Sequence, residues 1–327
     1  VTVSLRFLAD AFMLNQSAVG PRSEVSLSPV APRDAAPSLR SLAALLLLAV
    51  MWGLSIPVTK LGLLTLPPLT LTALRFAIAV PLLLLFTVGR QRLPWRALPR
   101  VAALGVLGIG VGQVAQTFGV AGTSASVGTI ISATIPVFIV VFAALRLKQA
   151  VSGRQKLGLL AAFAGIALVA SDGQPSSAVF QTSVGGAGLL LLSALAIAFY
   201  YVWSVELTQE HGTAAVAAWS TLLGFLALLP WAGWEMWLVP LHLTAQAIGA
   251  AAYLGLVVTV AGLFLWLHLL RTVPAGIAAS VQYLQPVVGV AASSVMFGDQ
   301  MGALFAVGVL LVLAGLALTM ASRSKAV

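Results

Sequence analysis

Apolar runs of about 20 residues follow one another along the chain, separated by short breaks carrying proline, glycine, arginine or hydroxyl residues. A helix rises 1.5 Å per residue, so a run of this length crosses about 30 Å of hydrocarbon. The pattern predicts ten membrane-spanning helices near 41–59, 69–89, 99–119, 124–146, 155–171, 185–207, 213–233, 245–269, 275–297 and 302–320. The breaks fall at Leu66-Pro67-Pro68, Arg90 to Pro99, Ser171 to Ser177 and Trp234 to Pro240. Strands of a membrane barrel would alternate in segments of about 10 residues, and the runs show no such alternation. The longest connection, 172–184, is polar and leaves five spans on each side.

The two sides are related. With an offset of 150 residues, Ala125–Leu168 lies over Ala275–Leu318. Ala125, Pro136, Val137, Val140, Gly158, Leu160, Ala164, Gly165, Ala167 and Leu168 each meet their own residue type. A duplicated helical membrane chain with one proline near the middle of a span in each half is an arrangement used by transporters. The expected fold is all-α, with ten transmembrane helices in two inverted five-helix repeats around a central cavity. Its expected divisions are a mostly disordered cytoplasmic tail (1–40), a first repeat (41–171), an extracytoplasmic linker (172–184), a second repeat (185–321) and a short cytoplasmic tail (322–327).

Composition supports lipid as the solvent: 60% of residues are hydrophobic and 8% charged, against about 25% charged in soluble domains. The formal charge of +9 does not imply nucleic acid, because its distribution is that of a topology signal. With the N-terminus inside, the cytoplasmic segments hold Arg6, Arg22, Arg33, Arg40, Arg90, Arg92, Arg96, Arg100, Arg146, Lys148, Arg154, Lys156, Arg271, Arg323 and Lys325, which is 15 of the 17 basic residues. Only Lys60 falls outside, and Arg75 lies within a span. Positive residues mark cytoplasmic loops, so both termini are expected in the cytoplasm of a bacterium and the chain in its inner membrane. The loop between spans 4 and 5 is basic, whereas its repeat counterpart carries only Asp299. Five spans per copy and opposite loop charge are what inverted copies require.

Polar residues inside apolar runs mark a candidate site. Proline removes one helical hydrogen bond and crowds the carbonyl four residues earlier; for Pro136 that carbonyl belongs to Ser132, and for Pro286 to Gln282. Each proline lies about 16 Å into its span, and a bare carbonyl there must face protein, water or substrate. Ser132, Gln282 and Gln285 are therefore expected to line the cavity, the alternative being two packing kinks. Gln113 and Gln116, one turn apart in span 3, favour a protein-facing or wet surface. Gly108 and Gly112 form a GxxxG pair that permits close packing or bending; it is compatible with a homodimer, although a monomer suffices. Trp52 and Tyr283 lie deep and are expected cavity walls, with Tyr253 as a lesser one. Trp231, Trp234 and Trp237 read as an interfacial belt. Arg75, about seven residues into span 2, either neutralises a substrate carboxylate or caps a neighbouring helix. Lys60, Glu206 and His268 sit near span ends and can snorkel; with no acid in the middle of a span, proton coupling is expected to be weak or absent, or to run through His268.

Several stretches resemble the drug/metabolite transporter superfamily and, within it, the EamA-type exporters. They are Trp52-Gly53-Leu54-Ser55, Lys60-Leu61-Gly62, Pro67-Pro68 and Ala73-Leu74-Arg75-Phe76, then Val273-Pro274-Ala275, Tyr283-Leu284-Gln285-Pro286-Val287 and Phe297-Gly298-Asp299. The resemblance covers about 41–320 and implies ten helices, a central cavity and alternating access. It extends to bacterial exporters of amino acids, aromatic ones included, and adds Ser55 to the candidate substrate contacts. The chain departs from the family where a Gly-Glu pair usually follows span 4; here Leu147-Lys148-Gln149 stands instead.

The expected activity is export of small amphipathic metabolites such as neutral and aromatic amino acids. A nucleotide-sugar carrier would want several midplane cations to meet phosphate charge. An intramembrane transferase would want a catalytic histidine or metal-holding acids, and His211, His242 and His268 are scattered without an HExxH pattern. There is no cysteine, so thiolate metal sites are excluded. No cofactor, metal or nucleic-acid partner is expected.

Overall fold

A computed structural model describes residues 39–87, 93–147, 152–171, 183–272, 281–299 and 301–321, with the backbone alone at 147, 270–272, 281–283 and 319–321. The expectations placed on the two tails, on most of the 172–184 linker and on the side chains of Gln282 and Tyr283 lie outside this set. Among the described residues every regular element is helical. The spans are α1 (Leu39–Gly62), α2 (Pro68–Thr87), α3 (Leu98–Ala121), α4 (Ala125–Arg146), α5 (Gly153–Ser171), α6 (Val184–His211), α7 (Thr213–Leu238) and α8 (Ala245–Leu269). They are followed by α9 (Val281–Phe297) and α10 (Ala303–Ala321). Ten helices stand where ten apolar runs predict them.

The polar residues in the breaks act as caps. Ser124, Ser183 and Thr244 accept from Val127 N, Gly186 N and Ala247 N at the starts of α4, α6 and α8, each meeting a donor that the helix leaves unpaired. Pro68 opens α2, where its missing N–H costs nothing. Gly212 takes φ 81° to turn α6 into α7, a conformation that glycine alone adopts freely.

The repeat offset becomes a contact pattern. Among the described residues, helices α5 and α10 make the most extensive pairing. A Cβ on Gly165 would lie 2.6 Å from Gly308 O, and one on Gly315 would lie 2.5 Å from Gly158 O. Gly158 and Gly165 become Gly308 and Gly315 under the offset. Each glycine of one helix thus meets the counterpart of the other, the reciprocity of a two-fold axis.

Two features depart from straight spans. First, α3 and α8 each contain a π-helical segment, Leu104–Val111 and Tyr253–Ala261. Shifted by 150, the first becomes 254–261, so the π segments are repeat equivalents. Second, α1 is broken at Leu54, and α4 at Ala133–Thr134. The matched prolines behave differently: Pro136 follows the break in α4, whereas Pro286 lies inside an unbroken α9. Thr134 Oγ1 donates to Ile131 O at 2.6 Å and so takes a carbonyl from the helical ladder. Its repeat counterpart, Leu284, has no hydroxyl to do this.

Candidate functional site

Between the two repeats lies a cavity of about 320 Å³, within the range of small-molecule sites. Trp52, Ser55, Gln113, Gln116, Ser132 and Gln285 line it, together with Pro136, Pro286 and Arg75. The polar residues that interrupt apolar runs are therefore brought together from α1, α2, α3, α4 and α9. Ile197 and Tyr201 of α6 and Val258 and Trp266 of α8 also line it; sequence reasoning did not name Ile197 or Val258, and among the aromatics of the spans it favoured Trp52 and Tyr283 over Tyr201 and Trp266.

Arg75 is the centre of the polar part. Its Nη1 donates to Gln113 Oε1 at 2.7 Å and its Nε to Thr259 Oγ1 at 3.0 Å. Helix α3 is fixed to α2 beside them, where Thr72 Oγ1 donates to Thr117 Oγ1 at 2.9 Å and Thr117 Oγ1 donates to Gln113 O at 2.9 Å. Gln116 follows Gln113 by one turn on the same wall. Gln285 Nε2 is buried without a protein acceptor among the described residues, so an amide donor there is left for a guest or for water. Ser55 Oγ instead donates to Trp52 O at 2.6 Å and braces the break in α1.

The aromatic part lies toward the other membrane face. Arg75, Gln113 and Gln116 sit within about two turns of the helix ends near residues 68 and 121, whereas Ile197 lies at mid-helix and Tyr201 and Trp266 lie toward the opposite ends of their helices. Trp52 and Trp266 stand 5.7 Å apart, centroid to centroid. Trp52 Nε1 donates to Val258 O at 3.2 Å.

Other expected site residues are placed elsewhere. Tyr253 does not line the cavity; its hydroxyl donates to Met51 O at 3.0 Å, and its ring packs on the cluster of Leu66, Leu71 and Leu254. Trp266, reached after the π segment, supplies the aromatic wall of α8 instead. His268, two residues past Trp266, is not among the residues that line the cavity. Gly108 and Gly112 face α6, where their Cβ atoms would lie 2.5 Å from Tyr200 Cβ and 3.1 Å from Ile197 Cγ1. They serve close helix approach. Glu206 meets Arg146 at 2.7 Å on an exposed surface.

Lys60 does not snorkel. It is 3% exposed, and its Nζ donates to Val120 O, Ala121 O and Thr123 O at 2.9, 3.2 and 2.6 Å. A cation on carbonyls at a helix C-terminus is favoured by the helix dipole. From the other repeat, Asp299 Oδ2 accepts from Ser126 N at 2.9 Å, capping α4. Below this polar layer, Ile56, Val120, Val127 and Ile130 pack together. Ile56 also forms part of the cavity wall. On this side an apolar layer, backed by a charged one, borders the cavity.

Ten apolar helices, two repeats and a mixed polar–aromatic cavity between them define a membrane transporter. The chain belongs to the EamA-like transporter family, which it matches over residues 39–171 and 184–321. An uncharacterized transporter of Archaeoglobus fulgidus is 26% identical over 85% of this chain and 98% of its own. The uncharacterized inner membrane transporter YedA of Escherichia coli K12 is 27% identical over 78% of this chain and 82% of its own. A probable terminal-alkyne amino-acid exporter of Streptantibioticus cattleyicolor is 28% identical over 84% and 91%. A crystal structure shares the fold with a TM-score of 0.59 and 18% identity, over 88% of this chain and 99% of that one. The family and these named relatives are transporters rather than enzymes.

Proposed function

We propose that the protein exports small neutral amino acids, aromatic ones preferred, from the bacterial cytoplasm by alternating access through the cavity between its repeats. The observation that carries this reading is Arg75. The acids among the described residues are Glu206, Glu210, Glu235 and Asp299, and none of them lines the cavity. Glu206 and Glu210 meet Arg146 and His211, while Glu235 and Asp299 cap the starts of α2 and α4. A guanidinium walled in by protein without a carboxylate favours an anionic group on the guest. The amides of Gln116 and Gln285 and the Ser132 hydroxyl offer neutral polar contacts for an ammonium group or its water. Trp52, Trp266 and Tyr201 offer flat apolar surface for a side chain.

A sugar nucleotide fits less well, because Arg75 is the one cation among the described lining residues. The amino-acid exporter name of the Streptantibioticus cattleyicolor relative points the same way. The basic loops favour cytoplasmic termini, and the Escherichia coli relative's name favours the inner membrane. The test is counterflow in proteoliposomes with labelled amino acids and sugar nucleotides. Saturable exchange of phenylalanine or another neutral amino acid is expected. Exchange of sugar nucleotides with none of any amino acid contradicts the reading.

A further inference from the structure

The two π segments converge on one side chain. The segment in α3 runs into Gln113, and the segment in α8 contains Thr259; Arg75 donates to both. The guanidinium is thus held between equivalent elements of opposite repeats.

The wide turn of α8 creates the contacts. In an α-helix, Gly262 N–H would bond Val258 O. Here it bonds Val257 O and Thr259 O, which takes the α-helical donor away from Val258 O and leaves that oxygen to Trp52 Nε1. Thr259 Oγ1 reaches five residues back to donate to Leu254 O at 2.8 Å. A hydroxyl has one hydrogen to give, so Thr259 can only accept from Arg75. Gly262 completes the arrangement, since a Cβ there would lie 2.5 Å from Trp52 Nε1.

We infer that the paired π segments position the binding site, with Thr259 as the residue that orients the Arg75 fork toward a substrate carboxylate and Val258 O as the group that seats Trp52 beside it. This rests on the reading of Arg75 as the carboxylate receptor. Of the five guanidinium N–H groups, one on Nε and one on Nη1 are engaged by Thr259 and Gln113. Three remain for the guest: one on Nη1 and two on Nη2. Losing the Thr259 acceptor frees Nε and lets the fork rotate away from that orientation.

The test compares binding of L-phenylalanine and L-phenylalaninamide to purified protein in nanodiscs, read by competition. Wild type is expected to prefer the acid. Thr259→Val keeps the shape and removes the oxygen, and it should cut the acid-to-amide preference at least about tenfold. Thr259→Ser should restore the preference. Gly262→Ala should lower the preference for phenylalanine over alanine while the acid-to-amide ratio holds. Arg75→Gln separates the two ideas. If it leaves the acid-to-amide ratio unchanged, or if wild type does not favour the acid, the carboxylate reading itself falls. If it abolishes the preference while Thr259→Val does not, the positioning role of Thr259 alone falls. A Gly262→Ala variant with wild-type preference for phenylalanine overturns the seating of Trp52.

Discussion

Arg75 and Lys60 show how two buried cations are given different work by their partners. The Lys60 ammonium is a compact charge with three rotatable donors, and three converging carbonyls at the end of α3 satisfy all of them. The Arg75 guanidinium has five donors in a fixed plane, more than its protein neighbours take up, so part of the fork stays directed at the cavity. Arg75→Lys keeps the charge and loses the plane. It should weaken transport of a carboxylate substrate by about 2 kcal/mol, or roughly 30-fold, mainly as a rise in KM. Wild-type initial rates of phenylalanine uptake in Arg75→Lys proteoliposomes would show that a point charge is enough. Arg75 was legible in the sequence as an ion inside an apolar run. Its partner Thr259 was not, because a threonine in a span is unremarkable until its neighbour is known.

Among the helices, glycine separates tight pairs from loose ones. Where α5 crosses α10, a Cβ on Gly165 would meet Gly308 O at 2.6 Å and Val312 N at 2.8 Å. Backbone atoms cannot swing aside as a flexible side chain can. Gly165→Ala should therefore cost about 1–3 kcal/mol by overpacking. Gly249 in α8 has nothing within 4 Å of an added Cβ, so Gly249→Ala should be neutral or stabilise by up to about 1 kcal/mol through helix propensity. Thermal unfolding in detergent checks both, and equal shifts would contradict the contact pattern. The π segments belong to the same scale. A sequence trace of them exists: Gly105 and Gly112 recur as Gly255 and Gly262 at the repeat offset. That trace marks a shared local structure without saying that it is a wide turn.

Across the whole molecule, the two repeats meet in a cavity bordered on one side by an apolar layer and a charged one. Lys60 comes from the first repeat and Asp299 from the second. Both bind around the α3–α4 corner, and the apolar layer of Ile56, Val120 and Val127 lies beneath. On the alternating-access reading proposed above, opening this side would part Asp299 of the second repeat from Ser126 of the first. Lys60→Met removes the positive charge that attracts Asp299 of the other repeat, so it should favour that opening. The chain has no cysteine, so a single Ser132→Cys reports cavity access cleanly. An impermeant maleimide added outside right-side-out vesicles should label the Lys60→Met background faster than the parent. Equal labelling in both would remove the gate role of the layer.

The ten runs, their duplication and the breaks between them were determined by sequence alone, because crossing hydrocarbon demands length and apolarity. The same holds for much of the cavity: Trp52, Gln113, Gln116, Ser132 and Gln285 stand out as polar or amphipathic residues deep in apolar runs. Only the tertiary structure decided which way each helix faces. In a membrane the lipid side of a helix is as apolar as its packed side, so no hydrophobic stripe reports rotation about the axis. For that reason Trp266 rather than Tyr253 reaches the cavity, Lys60 turns inward onto carbonyls, and two wide turns from opposite repeats come to hold one arginine.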